Sequence, residues 1–362
     1  MFEHVQPGPP DPMFTLKRDA DNDTSPEKVD LGVGIYRGEE GSYQELDVVR
    51  QAKRKLDELD LGHDYELTIG DADFLRLAAE VMFGEHSDAL QTDRSKTLSM
   101  AIQVSSVQTI SGTGANSLGA LFISKVMEPK PKVYIGVPSW GNHLPIFQDV
   151  GLETATYPYL DASKHAVNFT ALLDAVRSAA QGSVFVLQGC CHNPTGIDLS
   201  PAQWKELASE MKYYAHLPFF DTAYQGLGDG LDEDAAGVRV FTKAGIEMLV
   251  CQSFSKTFAL YGERCGALHF VGNSQKVVAN VQDRLRSLIR HTYSSAPAYG
   301  SRLVKIVLND TDLRKEWELV ETYHVHLPGS GRINVAGLSD ENVKRAAQAI
   351  DKVIRQRMNG KL

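Results

Sequence analysis

Apolar residues occur along this chain in short runs rich in β-branched and aromatic side chains. The runs alternate with stretches whose apolar positions recur at helical spacing. Val104 to Ile110, Val133 to Val137, Ser183 to Leu187, Leu217 to Phe220, Met248 to Cys251 and Ala267 to Val271 read as buried strands. Asn116 to Val126, Asn168 to Ala180, Pro201 to Ala215 and Ala235 to Ala244 read as the helices between them, with further helices at Gln275 to Ile289 and Ala298 to Leu308. The tail, Asp340 to Met358, has Val343, Ala346, Ala347, Ile350, Val353 and Ile354 at helical spacing and predicts an amphipathic helix. Strands alternating with helices predict an α/β fold, with a mainly parallel sheet covered on both faces. The first forty residues are rich in proline and charge and read as irregular.

Composition changes this picture little. The 362 residues suit one large domain plus a smaller one. A formal charge of −9 argues against nucleic acid, which needs a basic stripe to neutralise phosphates. No apolar stretch is long enough to span a bilayer, and Met1 to Asp11 lacks the pattern of a signal or transit peptide, so no membrane and a cytoplasmic location are expected. Cys190, Cys191, Cys251 and Cys265 lie in or beside strand-like runs without C-x-x-C spacing, which predicts buried thiols and no metal.

Open α/β sheets bind ligands beyond the carboxyl ends of their strands, so the residues after each run carry the chemistry. Ser111-Gly112-Thr113-Gly114 follows the first run and opens a helix, which suits an anion such as a phosphate. Read alone it could be a turn; as a dinucleotide loop it fails, because Gly119 is misplaced for G-x-G-x-x-G. Trp140 follows the second run and could be a flat ring at the crevice or part of the core. Asn193-Pro194 follows the third, either as a ligand loop or as a turn. Asp221 and Tyr224 follow the fourth. Lys256 follows the fifth, in Ser253-Phe254-Ser255-Lys256, with Arg264 beyond it. Burial at a strand end disfavours the charged amine, and a neutral lysine can form a Schiff base with an aldehyde cofactor. A phosphate cradle, a flat ring, a buried acid and such a lysine together describe pyridoxal 5′-phosphate.

These motifs, in this order, resemble the aspartate aminotransferase family of pyridoxal-phosphate enzymes. Leu31-Gly32-Val33-Gly34-Ile35-Tyr36-Arg37, His63-Asp64-Tyr65, S-G-T-G-A, P-S-W-G-N-H, C-C-H-N-P-T-G, D-T-A-Y-Q-G, Q-S-F-S-K, L-Y-G-E-R-C-G, Arg290 to Pro297 and Gly331 to Leu338 carry the resemblance over nearly the whole chain. It implies a fold-type I transferase, with a large cofactor domain at 45–311 and a small α+β domain made of 1–44 and 312–362. It implies that Lys256 bonds the cofactor and moves the substrate Cα proton, that Asp221 pairs with the pyridine nitrogen, and that Tyr224 and Asn193 bond the 3′-oxygen. Trp140 would stack on the ring, and Ser111, Gly112, Thr113, Ser253, Ser255 and Arg264 would hold the phosphate. Arg332 would take the substrate α-carboxylate and Arg290 the distal one, with Gly34 close to the substrate and Trp140 and Asn193 beside it. Tyr65 and Ser294 would reach a neighbouring subunit's phosphate, which requires a homodimer.

The implied reaction is ping-pong transamination of L-aspartate and 2-oxoglutarate to oxaloacetate and L-glutamate. Between Trp317 and Gly331, however, the chain is roughly fifty residues shorter than the family pattern, a large part of a small domain. Gln188 stands where the family has histidine, Ser295 where it has asparagine and Ala259 where it has glycine. The shortening keeps two alternatives open: an aminotransferase for aromatic or specialised-metabolite amino acids, and a cofactor-binding dimer without transaminase activity.

Overall fold

The computed structural model describes residues 1–8, 10, 12–25, 28, 30, 32, 34–37, 41–90 and 102–322. Arg332 and the tail helix expected at Asp340 to Met358 lie outside them. The chain divides into two compact units, one running Leu46–Arg332 and the other containing Met1–Glu45.

In the first forty residues, where the sequence predicts no regular structure, a helix α1 spans Pro12–Asn22. Proline at the first helical position loses no hydrogen bond and its φ is already helical, so a Pro-rich stretch can still start a helix. Leu16 packs against Gly32, where a Cβ would come within 2.8 Å of it. Further along, Arg37 pairs with Asp30 at 2.5 Å and bridges Tyr43.

The larger unit begins with α2 (Asp47–Glu58) and α3 (Ala72–Phe83). Strand β1 (Gln103–Ile110) runs directly into α4 (Ser111–Val126). Then come β2 (Val133–Val137), α5 (His143–Asp149), β3 (Thr154–Pro158), the short antiparallel pair β4 (Leu160–Asp161) and β5 (Ala166–Val167), and α6 (Phe169–Ser178). They are followed by β6 (Val184–Gln188), α7 (Pro201–Tyr213), β7 (Leu217–Thr222), the one-turn α8 (Leu231–Asp234) and α9 (Ala236–Lys243). Next are β8 (Met248–Ser253) and β9 (Cys265–Gly272), and the unit closes with α10 (Gln275–Thr292), α11 (Ala298–Asn309) and α12 (Thr311–Thr322).

Seven strands form one sheet in the order β1-β9-β8-β7-β6-β2-β3. Neighbours from β8 to β3 are parallel, and β9 runs antiparallel to both β8 and β1. The sheet is therefore mixed and mainly parallel, as the sequence predicts. Successive strand residues serve opposite faces. Phe185, Leu187, Phe220 and Val250 pack with Met82, Leu172, Trp204 and Phe241 on one side. Val184, Val186, Phe219 and Leu249 pack with Ile123, Phe147 and Leu285 on the other. Burial on both faces is why these strands read as continuous apolar runs. Gly119 has its use here: a Cβ would sit 2.6 Å from the Phe219 ring, so glycine lets α4 lie close on the sheet.

Two boundaries differ from expectation. Helix α4 starts at Ser111 and not at Asn116. Ser111, at φ 58°, turns the chain straight from strand into helix, and Asn116 Nδ2 donates to the Gly112 carbonyl at 2.9 Å. Helix α10 runs on to Thr292, three residues past the expected Ile289, whereas the helix expected at Ala235 to Ala244 is α9, with the one-turn α8 before it. Helix α7 begins as its sequence dictates, with Ser200 and Gln203 forming a reciprocal capping box and Pro201 next to the cap. Among the described residues no helix is long and apolar enough to cross a membrane.

Candidate active site

The parallel strands end on one edge, and the predicted residues gather there. Asp221 is the penultimate residue of β7, in register with Gln188 on β6 and Cys251 on β8. It is only 8% exposed, and its Oδ2 lies 2.9 Å from Nε2 of His143, which is fully buried. Ser139 Oγ contacts the other ring nitrogen of His143 at 2.8 Å, and the Trp140 ring meets His143 edge-on at 5.2 Å. Beneath the site, burial pushes the Cys251 thiol up, with the Asp221 charge adding to it, so Cys251 stays protonated.

Lys256 sits three residues beyond β8, in a turn next to the Asp221 strand end. Its Nζ lies 4.9 Å from the centre of the Tyr261 ring. Trp317 on α12 holds this turn from below. Its Nε1 donates to the Thr257 carbonyl at 3.0 Å, and its ring stacks on Phe258 at 4.6 Å. Tyr224 is half-buried in the turn after β7.

Ser111, Gly112, Ser253, Ser255 and Arg264 come together from three separate segments. Arg264 donates to Ser111 Oγ, to Ser255 Oγ at 3.4 Å and to the Tyr261 carbonyl at 2.8 Å. A Cβ on Gly112 would fall 2.9 Å from Ser253 Cβ, so glycine permits the close approach. Ser111 and Arg264 both have left-handed backbones, at φ 58° and 53°, and the Ser111 amide donates to the Arg264 carbonyl at 3.0 Å. Non-glycine residues in that region carry strain, and such strain gathers at functional sites. Burial lowers Arg264 from its ordinary value, and among the described residues its hydrogen bonds reach only neutral oxygens. A half-buried cation beside two hydroxyls and a helix N-terminus fits an anion.

Asn193 is placed by a clamp. Its amide donates to Gln188 Oε1 at 2.7 Å, and Gln188 Nε2 donates back to the Asn193 carbonyl at 3.0 Å. Asp198 accepts from the Cys191 and His192 amides at 2.6 and 2.8 Å and closes the same loop. The thiols of Cys190 and Cys191 lie near the Asp234 carboxylate, but Asp234 is already bonded by the amides of Gly226, Gly228 and Asp229. That arrangement fastens a loop.

The other expected residues stand as follows. Thr113 is in the first turn of α4 with an exposed side chain. Tyr65 is 91% exposed. Arg290 is exposed at the end of α10 and donates to Ser294 Oγ at 2.5 Å. Gly34 belongs to the unit containing Met1–Glu45. The sequence reading gave no role to His143, Ser139 or Trp317. His143 stands three residues after Trp140 inside a recognised motif, which is a usable signal; nothing in the sequence ties Trp317 to the lysine turn.

The fold sets an anion-fitting cradle, a buried acid and a lysine turn at its strand ends, and comparison with known proteins identifies the class. The profile of aminotransferase class I and II matches residues 26–322. Aminotransferase tasG of Hapsidospora irregularis is 42% identical over 365 positions, covering 98% of this chain and 96% of its own. An aspartate aminotransferase of Haemophilus influenzae is 34% identical over 406 positions, covering 98% of this chain and all (100%) of its own. The solved aromatic-amino-acid aminotransferase of Burkholderia pseudomallei, covalently bound to pyridoxal phosphate, superposes with a TM-score of 0.83 at 38% identity, over 89% of this chain and 78% of that one. The chain belongs to the class I and II aminotransferase family, whose members depend on pyridoxal 5′-phosphate.

Proposed function

We propose that this aminotransferase moves the amino group of L-aspartate to 2-oxoglutarate in a ping-pong cycle, with each active site shared between two copies of the chain. The observation that carries this reading is the convergence at one sheet edge of the Asp221–His143 pair, the Lys256 turn and the Arg264–Ser111–Ser255 cradle. When bound, pyridoxal phosphate supplies an electron sink for the bonds at the substrate Cα. Arg264, Ser111, Gly112, Thr113, Ser253 and Ser255 hold its phosphate, and Trp140 covers its ring. Asp221 keeps a proton on the ring nitrogen, because a buried carboxylate favours a cation beside it. Tyr224 and Asn193 donate to the ring's 3′-oxygen. Lys256 would hold the cofactor through Nζ, and the same amine would serve as the base for the proton on the substrate Cα.

Arg332 and Arg290 grip the two substrate carboxylates, since planar guanidinium forks match carboxylates bidentately. Arg290, Tyr65 and Ser294 serve the partner's site. Leu59, Leu61, Tyr65 and Leu67 are all exposed within one short stretch of chain, which suits burial against a second copy. A cytoplasmic location completes the reading. Lys256→Ala is expected to abolish turnover of aspartate, and an unchanged rate would end the assignment. Sedimentation as a monomer at micromolar concentration would remove the shared site.

One observation favours a second reading of the substrate. The tasG alignment needs 365 positions for 98% of this chain, whereas the Haemophilus aspartate aminotransferase needs 406. The shortening is therefore shared with a relative named only as an aminotransferase. A reduced small domain changes the surface that closes over substrate, which suits an aromatic or specialised amino donor. Rates with aspartate and tyrosine as donors separate the two readings. A clear preference for tyrosine overturns the aspartate assignment, and cofactor binding without a half-reaction on either donor leaves a binding protein.

A further inference from the structure

We propose that Gln188 is a positioning residue that fixes the tautomer of His143 and, through it, keeps Asp221 an acceptor-only carboxylate. The proposal rests on the cofactor reading above for its consequence, but its geometry stands independently.

Gln188 Oε1 accepts from the Asn193 amide at 2.7 Å, and its Nε2 donates to the Asn193 carbonyl at 3.0 Å. A flipped amide would set donor against donor and acceptor against acceptor, so the orientation is determined. The second Nε2 hydrogen is directed at Ser139 Oγ, at 3.5 Å the longest link in the chain of bonds. A hydroxyl that accepts there turns its own hydrogen toward His143 Nδ1, 2.8 Å away. Nδ1 is then an acceptor, so the ring hydrogen sits on Nε2 and is donated to Asp221 Oδ2 at 2.9 Å. Asp221 receives that bond as a carboxylate.

An amide has no second protonation state near neutral pH, so Gln188 offers Ser139 the same donor throughout. Other groups also face His143. Asp221 lies on β7 and the Trp140 ring edge is at 5.2 Å. His192 is pulled down to about 3, chiefly by burial, and stays uncharged. Its Nδ1 is engaged by Thr195 Oγ1 at 2.9 Å. A cavity with room for about one water is lined by Ser139, Gln188, His192 and Tyr157, so a shorter or apolar side chain at 188 would open it further.

The test reads the ring nitrogens of His143 by ¹⁵N NMR in the full-length protein, with and without cofactor; His143→Gln assigns the signals by removing them. The wild type is expected to show one neutral form protonated at Nε2. Gln188→Leu and Ser139→Ala are both expected to give mixed tautomers. In the holoenzyme both should shift the pH midpoint of the visible cofactor band in the same direction. They should also lower kcat roughly tenfold while KM for the amino donor holds, as outer-shell changes commonly do. A single unchanged tautomer in folded Gln188→Leu overturns the proposal. If that variant does not fold, Ser139→Ala decides alone, since it leaves the Gln188–Asn193 clamp intact, and an unchanged tautomer there overturns the proposal equally. A wild-type protein that takes up no pyridoxal phosphate would defeat the cofactor reading and leave the tautomer result standing.

Discussion

Replacing Asp221 with asparagine removes one charge and almost no volume. The carboxylate is buried at the end of β7, where it meets the His143 ring at 2.9 Å. Asparagine can still accept from His143 through its carbonyl oxygen, so the pocket keeps its shape. What is lost, on the proposed placement of the cofactor, is the attraction between a buried anion and a protonated ring nitrogen. An opposite charge at such range shifts a pKa by about 1–3 units, equivalent to roughly 1.4–4 kcal/mol. If the transition state uses that proton fully, kcat falls by about ten- to a thousandfold, with KM for the donor much less affected. Steady-state kinetics across pH, with the visible band of the bound cofactor as a second readout, measures the effect. The variant should bind cofactor and lose rate most at high pH, where the ring nitrogen is first deprotonated. A rate within twofold of wild type at all pH values would refute the role given to Asp221.

Two further outcomes follow from packing and capping. In Gly266→Ala the new Cβ would lie 2.6 Å from the Ser111 carbonyl carbon, 2.7 Å from the Gln252 carbonyl oxygen and 2.8 Å from Ser111 Cα. These are backbone atoms that cannot swing aside, so we expect about 1–3 kcal/mol of destabilisation together with weaker cofactor binding in equilibrium dialysis; unchanged values of both would contradict the cradle geometry. Asp71 caps α3 by accepting from the Phe74 amide at 2.9 Å and pairs with Lys305 at 2.5 Å. Burial raises its pKa, but the Lys305 and amide bonds outweigh that, and the net value is lowered from 3.8. A lowered folded pKa means stability present above the unfolded value and lost as pH falls through the folded one. Asp71→Ala should therefore cost about 1–2 kcal/mol in urea titrations at neutral pH, and the difference should narrow in acid; a difference that widens there would contradict the sign.

Much of this was legible in the sequence, for identifiable reasons. Strands β6, β7 and β8 are covered on both faces, so their apolar runs had no competing interpretation. Strand β3 lies at the sheet edge, includes exposed positions and ends in a proline, which erased its signal. Helix α1 was hidden because proline and charge read as loop, although proline at a first helical position is favourable. Ser111, Trp140, Asn193 and Lys256 could be singled out from the sequence because each stands a few residues past a strand end, where sequence order and spatial order agree. The network behind them could not be. His143 meets Asp221 across 78 positions of chain, and Trp317 reaches Thr257 across 60. No periodicity encodes such contacts; they exist only once the sheet has set its strand order.

The central claim is that Lys256 is the amine bonded to the cofactor at the edge where Asp221 stands. Borohydride reduction of the holoenzyme fixes the cofactor on whichever amine holds it, and peptide mapping by mass spectrometry then locates it. The account predicts one pyridoxyl group per chain, on the peptide containing Lys256. A group on any other lysine, or none after full loading, would contradict it.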